Sequence, residues 1–68
     1  MKNFNVLISS PFDREKLVAE IYYDDVMIAE LNQESENLVI EFYLQEVIEF
    51  NYNDFVSILE EAKNKLIK

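Results

Sequence analysis

A chain of 68 residues and 8.1 kDa makes one domain, residues 1–68 together, and its 14 acidic against 6 basic residues give a formal net charge of −8. With no Cys, His or Gly it excludes a disulfide framework, a thiol or imidazole catalyst, a Cys/His zinc site and a glycine-built phosphate loop. Half of the residues are hydrophobic, too many for a disordered acidic tail.

Phe4, Val6 and Ile8 alternate with Asn5, Leu7 and Ser9, which predicts a first strand. The apolar run stops at Ser9. A secretory core needs roughly 7–15 apolar residues and a spanning helix roughly 20, so the expectation is a soluble, cytoplasmic protein.

Residues 11–31 admit two readings. Ser10-Pro11-Phe12-Asp13 has the form of a helix start, and Leu17, Val18, Ile21 and Tyr22 fit a helical stripe. The same residues fit a strand, with Leu17, Ala19, Ile21 and Tyr23 on one face and Val18, Glu20 and Tyr22 on the other. The β-type composition of Ile21-Tyr22-Tyr23, and Asp24-Asp25 followed by Val26 to Leu31, favour a hairpin. A strict two-residue turn at Asp24-Asp25, however, pairs Ala19 with Glu30 on the core face. A longer loop or a bulge is needed to keep Glu30 out, and without glycine any left-handed position falls to Asp or Asn.

Met27, Ala29 and Leu31 are then expected to face Phe42, Ile40 and Leu38 across a loop at Gln33-Glu34-Ser35-Glu36. Leu38 to Leu44 alternates as a strand, and Val47 to Phe50 either extends it or forms a short fifth strand. The last element is a helix: Phe55, Ile58, Leu59, Ala62 and Leu66 recur at steps of three and four. Asn51 is placed as its N-cap, Phe50 and Phe55 as a hydrophobic staple, Asp54 at its positive end, and Lys63, Lys65 and Lys68 at its negative end. The predicted fold is α+β, an antiparallel sheet of four or five strands followed by one C-terminal helix packed on one face. Its rival is a strand–helix–strand–helix order.

One helix covers one face. The open face is expected to carry Leu7, Val18, Tyr22, Ile28, Val39 and Tyr43, interrupted by Glu20, Glu30 and Glu41. Either this is an ordinary solvated sheet surface or it is a contact surface, with tyrosines for area and acids for a basic partner. The candidate partner-binding residues are therefore Val18, Glu20, Tyr22, Ile28, Glu30, Val39, Glu41 and Tyr43.

Glu20, Glu30 and Glu41 are the only conceivable catalytic material, and so small a domain has little room for a substrate pocket beside them. Asp24-Asp25 lacks the spaced oxygen ligands and the glycine of a calcium loop. No catalytic residue, cofactor or metal is expected. Phe12-Asp13-Arg14-Glu15-Lys16 reads as a connecting turn with local ion pairs, and Glu61 and Lys65 stand at the favourable helical spacing.

The run from Ser10 to Asp24, Asn32-Gln33-Glu34, and Phe55-x-x-x-Leu59-x-x-Ala62-Lys63 are similar to segments of short uncharacterised bacterial proteins of the strands-then-helix type. That resemblance implies no functional residue. In size and acidity the chain also resembles toxin-immunity proteins and small phage-encoded inhibitors. The expected function is a non-enzymatic binding protein that inhibits or sequesters a basic protein partner, and the alternative is a homodimer built on the open sheet face. A charge of −8 repels phosphate, so neither direct nucleic-acid binding nor a membrane partner is expected.

Overall fold

A computed structural model describes residues 3–13 and 15–67. Four strands run in sequence order, β1 (Phe4–Ser9), β2 (Val18–Tyr23), β3 (Val26–Asn32) and β4 (Val39–Phe42), and α1 (Tyr52–Leu66) follows. Each strand pairs antiparallel with its neighbour in the order β1-β2-β3-β4, a meander whose outer strands are β1 and β4. The α+β reading holds, with four strands rather than five. Residues 11–31 form the hairpin and not a helix, and the segment from 43 to 50 is irregular. Leu17, Leu38, Tyr43 and Leu44 lie outside the strands they were assigned to, and Lys68 lies outside the described residues.

The turn between β2 and β3 is two residues long. Asp24 and Asp25 have φ of 51° and 68°, the left-handed pair that a tight hairpin needs and that glycine would normally supply. Tyr23 pairs with Val26 and Tyr22 with Met27, but Ile21 then pairs with Ala29, leaving Ile28 as an extra residue in β3. This bulge is how the strand keeps Glu30 away from the core: beyond it Glu20 opposes Glu30 and Ala19 opposes Leu31. The two-residue turn that precedes the bulge overturns two expectations. Met27 shares a face with Tyr22 instead of the core, and Ile28 is packed into the core instead of lying on the open face.

The core is Ala19 and Ile21 from β2, Ile28, Ala29 and Leu31 from β3, and Ile58 and Ala62 from α1. Phe4, Val6 and Ile8 of β1 flank it. The helix begins as its sequence predicts. The Asn51 side chain accepts a hydrogen bond from the Asp54 N–H at 3.0 Å, Asp54 lies in the first turn and Lys63 and Lys65 lie in the last. The Phe50 and Phe55 rings stack with centroids 5.4 Å apart and planes 3° apart, closing the staple. Phe50 also meets Phe4 at 5.3 Å and Tyr23 at 4.7 Å, which ties the start of α1 to the ends of β1 and β2. The helix therefore packs chiefly on β1 and β2.

Candidate functional site

On the face away from the helix, register brings three acids into one row: Glu20 opposes Glu30 and Glu30 opposes Glu41, across three adjacent strands. Like charges directly opposite one another destabilise a sheet, and this row is supplied with hydrogen-bond donors. The Ser9 hydroxyl donates to Glu20 Oε2 at 2.9 Å and the Tyr22 hydroxyl to Glu20 Oε1 at 3.0 Å. Asn32 Nδ2 donates to Glu30 Oε2 at 3.4 Å, and the Tyr43 hydroxyl to Glu41 Oε1 at 2.9 Å. The bond to Glu20 is the main reason that the Tyr22 phenol titrates above its ordinary value. Burial and the charge of Glu20 push it the same way.

The eight candidate contact residues do not form one accessible patch. Glu20, Tyr22, Val39, Glu41 and Tyr43 share the helix-free side, with Val39 and Tyr43 exposed and the others half-buried. Val18 and Glu30 are on that side too but are shut off from solvent, at 0% and 5% exposure, and so is Asn32. Ile28 is on the other side, in the core, because the two-residue turn puts Met27 rather than Ile28 on the face of Tyr22. What the face presents is a margin along β4, not a continuous front. No group of side chains that could hold a metal occurs among the described residues.

At one end of the sheet the Glu34 carboxylate accepts from the backbone N–H of Glu15 at 3.3 Å and of Lys16 at 3.1 Å, linking the β1–β2 and β3–β4 loops. The segment read as a turn with local ion pairs is thus held by an acid far along the chain, while Arg14 lies outside the described residues.

The helix side holds a feature that alternation alone does not reveal. Four strands spaced about 4.8 Å apart span about 14 Å between outer axes, while a helix is about 10 Å wide. One helix over β1 and β2 leaves β3 and β4 partly bare. Phe42 is 52% exposed there, and Leu38, Leu44 and Val56 are exposed as well. Leu31, Leu38, Ile40 and Leu59 line a cleft of about 210 Å³ between α1 and β4, with Glu60 and Lys63 at its rim. A second, wide-open cleft of about 550 Å³ lies beside the start of α1. Phe4, Tyr23 and Phe50 are among its walls, and Glu49, Asp54 and Glu61 border it.

Compared with protein-family models, curated proteins and solved structures, the chain has no match. Among the described residues no helix is long and apolar enough to cross a membrane.

The sequence signal for the bare half-face was the element count: four alternating tracts and one amphipathic helix. Counting faces without measuring their widths hides it. Its chemistry is apolar side chains within acidic surroundings, since between Lys16 and Lys63 the chain has twelve acidic residues and no basic one.

Proposed function

We propose that this protein is a non-enzymatic acidic binding module that inhibits or sequesters a basic protein partner, in the manner of an immunity protein or a small inhibitor, within the cytoplasm. The observation that supports the reading is the coincidence of exposed apolar side chains on the β4 side, Leu38, Phe42 and Leu44, with a stretch of chain that bears acids and no bases. Apolar area supplies most of the binding energy once water is excluded, and the surrounding negative potential steers a basic surface toward it. The same potential turns phosphate backbones away. A homodimer through the same surface would bring two bodies of −8 together, so a basic partner is the better fit.

The test is affinity capture by the tagged full chain from its native host, repeated across a salt series. The expected result is a basic protein whose capture falls steeply with salt, because the screening length shrinks from about 10 Å at 0.1 M to about 3 Å at 1 M. Capture of nothing, or of a partner whose retention ignores salt, would remove the reading.

A further inference from the structure

The bare strip beside α1 has the dimensions and chemistry of a missing helix. Packed helices lie about 8–10 Å apart, so a second helix set next to α1 falls over β3 and β4, which α1 leaves partly uncovered. The floor of the strip is Leu31 and Ile40, and the cleft of about 210 Å³ is its deepest point. Leu38 and Phe42 stand on the β4 side of it, and Phe42 stacks on Phe55 with ring centroids 6.4 Å apart. Along the helix Val56 and Leu59 continue at helical spacing to Lys63 at the cleft's rim.

We propose that this strip is the seat of a basic amphipathic helix of a partner protein, laid alongside α1 over β3 and β4. The proposal rests on the reading of the protein as an acidic binding module and names the surface and the kind of segment it takes. Charge decides the occupant. From residue 33 to residue 50 the chain carries Glu34, Glu36, Glu41, Glu46 and Glu49 and no Lys or Arg, so the polar side of the incoming helix must be basic. A second copy of the chain would bring the same excess of acid. A strand added to β4 would gain backbone bonds along four residues only, and it would leave Leu38, Phe42 and Val56 as exposed as before. Val56 to Lys63 rises about 10 Å at 1.5 Å per residue, and β4 extends about 13 Å at 3.3 Å per residue. The seat thus matches roughly seven to nine residues of helix, with apolar anchors at i, i+4 and i+7.

The probe is a labelled peptide of about fourteen residues with Leu at those three spacings in its central turns and Lys or Arg elsewhere, titrated with the full chain by fluorescence anisotropy. A peptide of identical composition with the leucine spacing scrambled controls for charge. The expected result is about tenfold tighter binding of the ordered peptide, equal to about 1.4 kcal/mol. Backbone amide shifts by NMR should gather at Leu38, Ile40, Phe42, Val56 and Leu59. Leu38→Glu and Val56→Glu should each weaken binding about tenfold. Leu7→Glu, on the exposed outer face of β1, should leave it unchanged.

Equal affinity for the two peptides would overturn the proposal, as would shifts gathered at Val39, Glu41 and Tyr43. A peptide bound as a strand along β4 would overturn it too. So would a dimer of the free chain whose dissociation on dilution moves the same amides, since the strip would then belong to a second copy. If Leu38→Glu fails to fold by circular dichroism, the amide map of the unaltered chain decides. Capture of a basic partner from the host that survives both substitutions would refute this seat while leaving the binding reading in place. No capture at all would refute the binding reading itself.

Discussion

Ile28 is where the placement of one residue has a large and measurable energy. It is 3% exposed and lies in the core because the two-residue turn pairs Met27 with Tyr22 and so leaves the next residue facing inward. Truncating a buried isoleucine to alanine removes its transfer energy and leaves a cavity, at a cost of about 2–5 kcal/mol. A domain of this size has roughly 3–10 kcal/mol of total stability. Ile28→Ala should therefore consume a fifth or more of it and lower Tm by about 8–40 °C, at about 4–8 °C per kcal/mol. Leu7→Ala, a truncation on the exposed outer face of β1, should cost about 0.5 kcal/mol or less. Urea unfolding followed by circular dichroism separates the two, provided the slope against urea stays that of the unaltered chain. A longer turn that left Met27, Ala29 and Leu31 alternating inward would put Ile28 on the open face and make the two substitutions equivalent. Ile28→Ala within about 0.5 kcal/mol of the unaltered protein would refute the two-residue turn and the face assignment that follows from it.

Three further outcomes follow from local geometry. Asp25→Gly relieves a left-handed residue at φ 68° that costs a non-glycine about 1–2 kcal/mol. After the greater entropy lost by glycine on folding, a net gain of about 0.5–1 kcal/mol is expected in urea unfolding, and a loss would contradict the turn. Asn51→Ala removes the acceptor for the Asp54 N–H and should destabilise by about 1 kcal/mol, whereas Asn51→Ser should restore most of it. The Tyr22 phenol is raised above 10.0 in the fold, chiefly by its bond to Glu20. A raised folded value means that the contribution to stability is complete below the unfolded phenol value and is lost as pH climbs through the folded one. Ultraviolet phenolate titration, with Tyr22→Phe to assign the signal, should show Tyr22 ionising later in the unaltered chain than in Glu20→Ala; identical curves would contradict the bond.

Much of the fold was legible because its signals are local. The Asn51 cap, the Phe50–Phe55 staple and the 3.6-residue stripe each lie within a few residues of one another, and all three are present. The hairpin was legible as a conflict: a two-residue turn with unbroken pairing would have put Glu30 in the core, so a bulge or a longer loop was required. The sequence could not say where the correction would fall. Its position fixes whether Met27 or Ile28 faces inward, and both are apolar and unremarkable there. The candidate site was less legible for a different reason. Alternation assigns a residue to a face, but burial on that face depends on neighbours from other strands and loops. Val18 and Glu30 were assigned to the correct side and are nonetheless closed to solvent. The Glu34 link to the Glu15 and Lys16 backbone spans eighteen or more residues and leaves no trace in any local pattern.

The acidic excess can be divided by what the fold itself uses. Asp24 and Asp25 occupy left-handed turn positions that this chain, lacking glycine, must fill with Asp or Asn. Asp54 sits at the positive end of a helix, Glu61 is 3.1 Å from Lys65, and Glu60 is 4.0 Å from Lys63. Glu20, Glu30 and Glu41 accept hydrogen bonds on the sheet, and Glu34 holds two backbone amides. Among the described residues the acids left without such a structural role are Asp13, Glu15, Glu36, Glu46 and Glu49, and the last three bracket the exposed Leu38, Phe42, Leu44 and Val47. Self-repulsion there weakens the compact state, and exposed apolar groups invite association. A stretch that breaks two local rules at once and gains nothing within its own fold is where a requirement from outside the fold is to be sought. On the proposed binding reading, substitutions at residues 36–49 and on the strip of α1 facing them should weaken partner capture more than substitutions in the row of glutamates at the centre of the sheet.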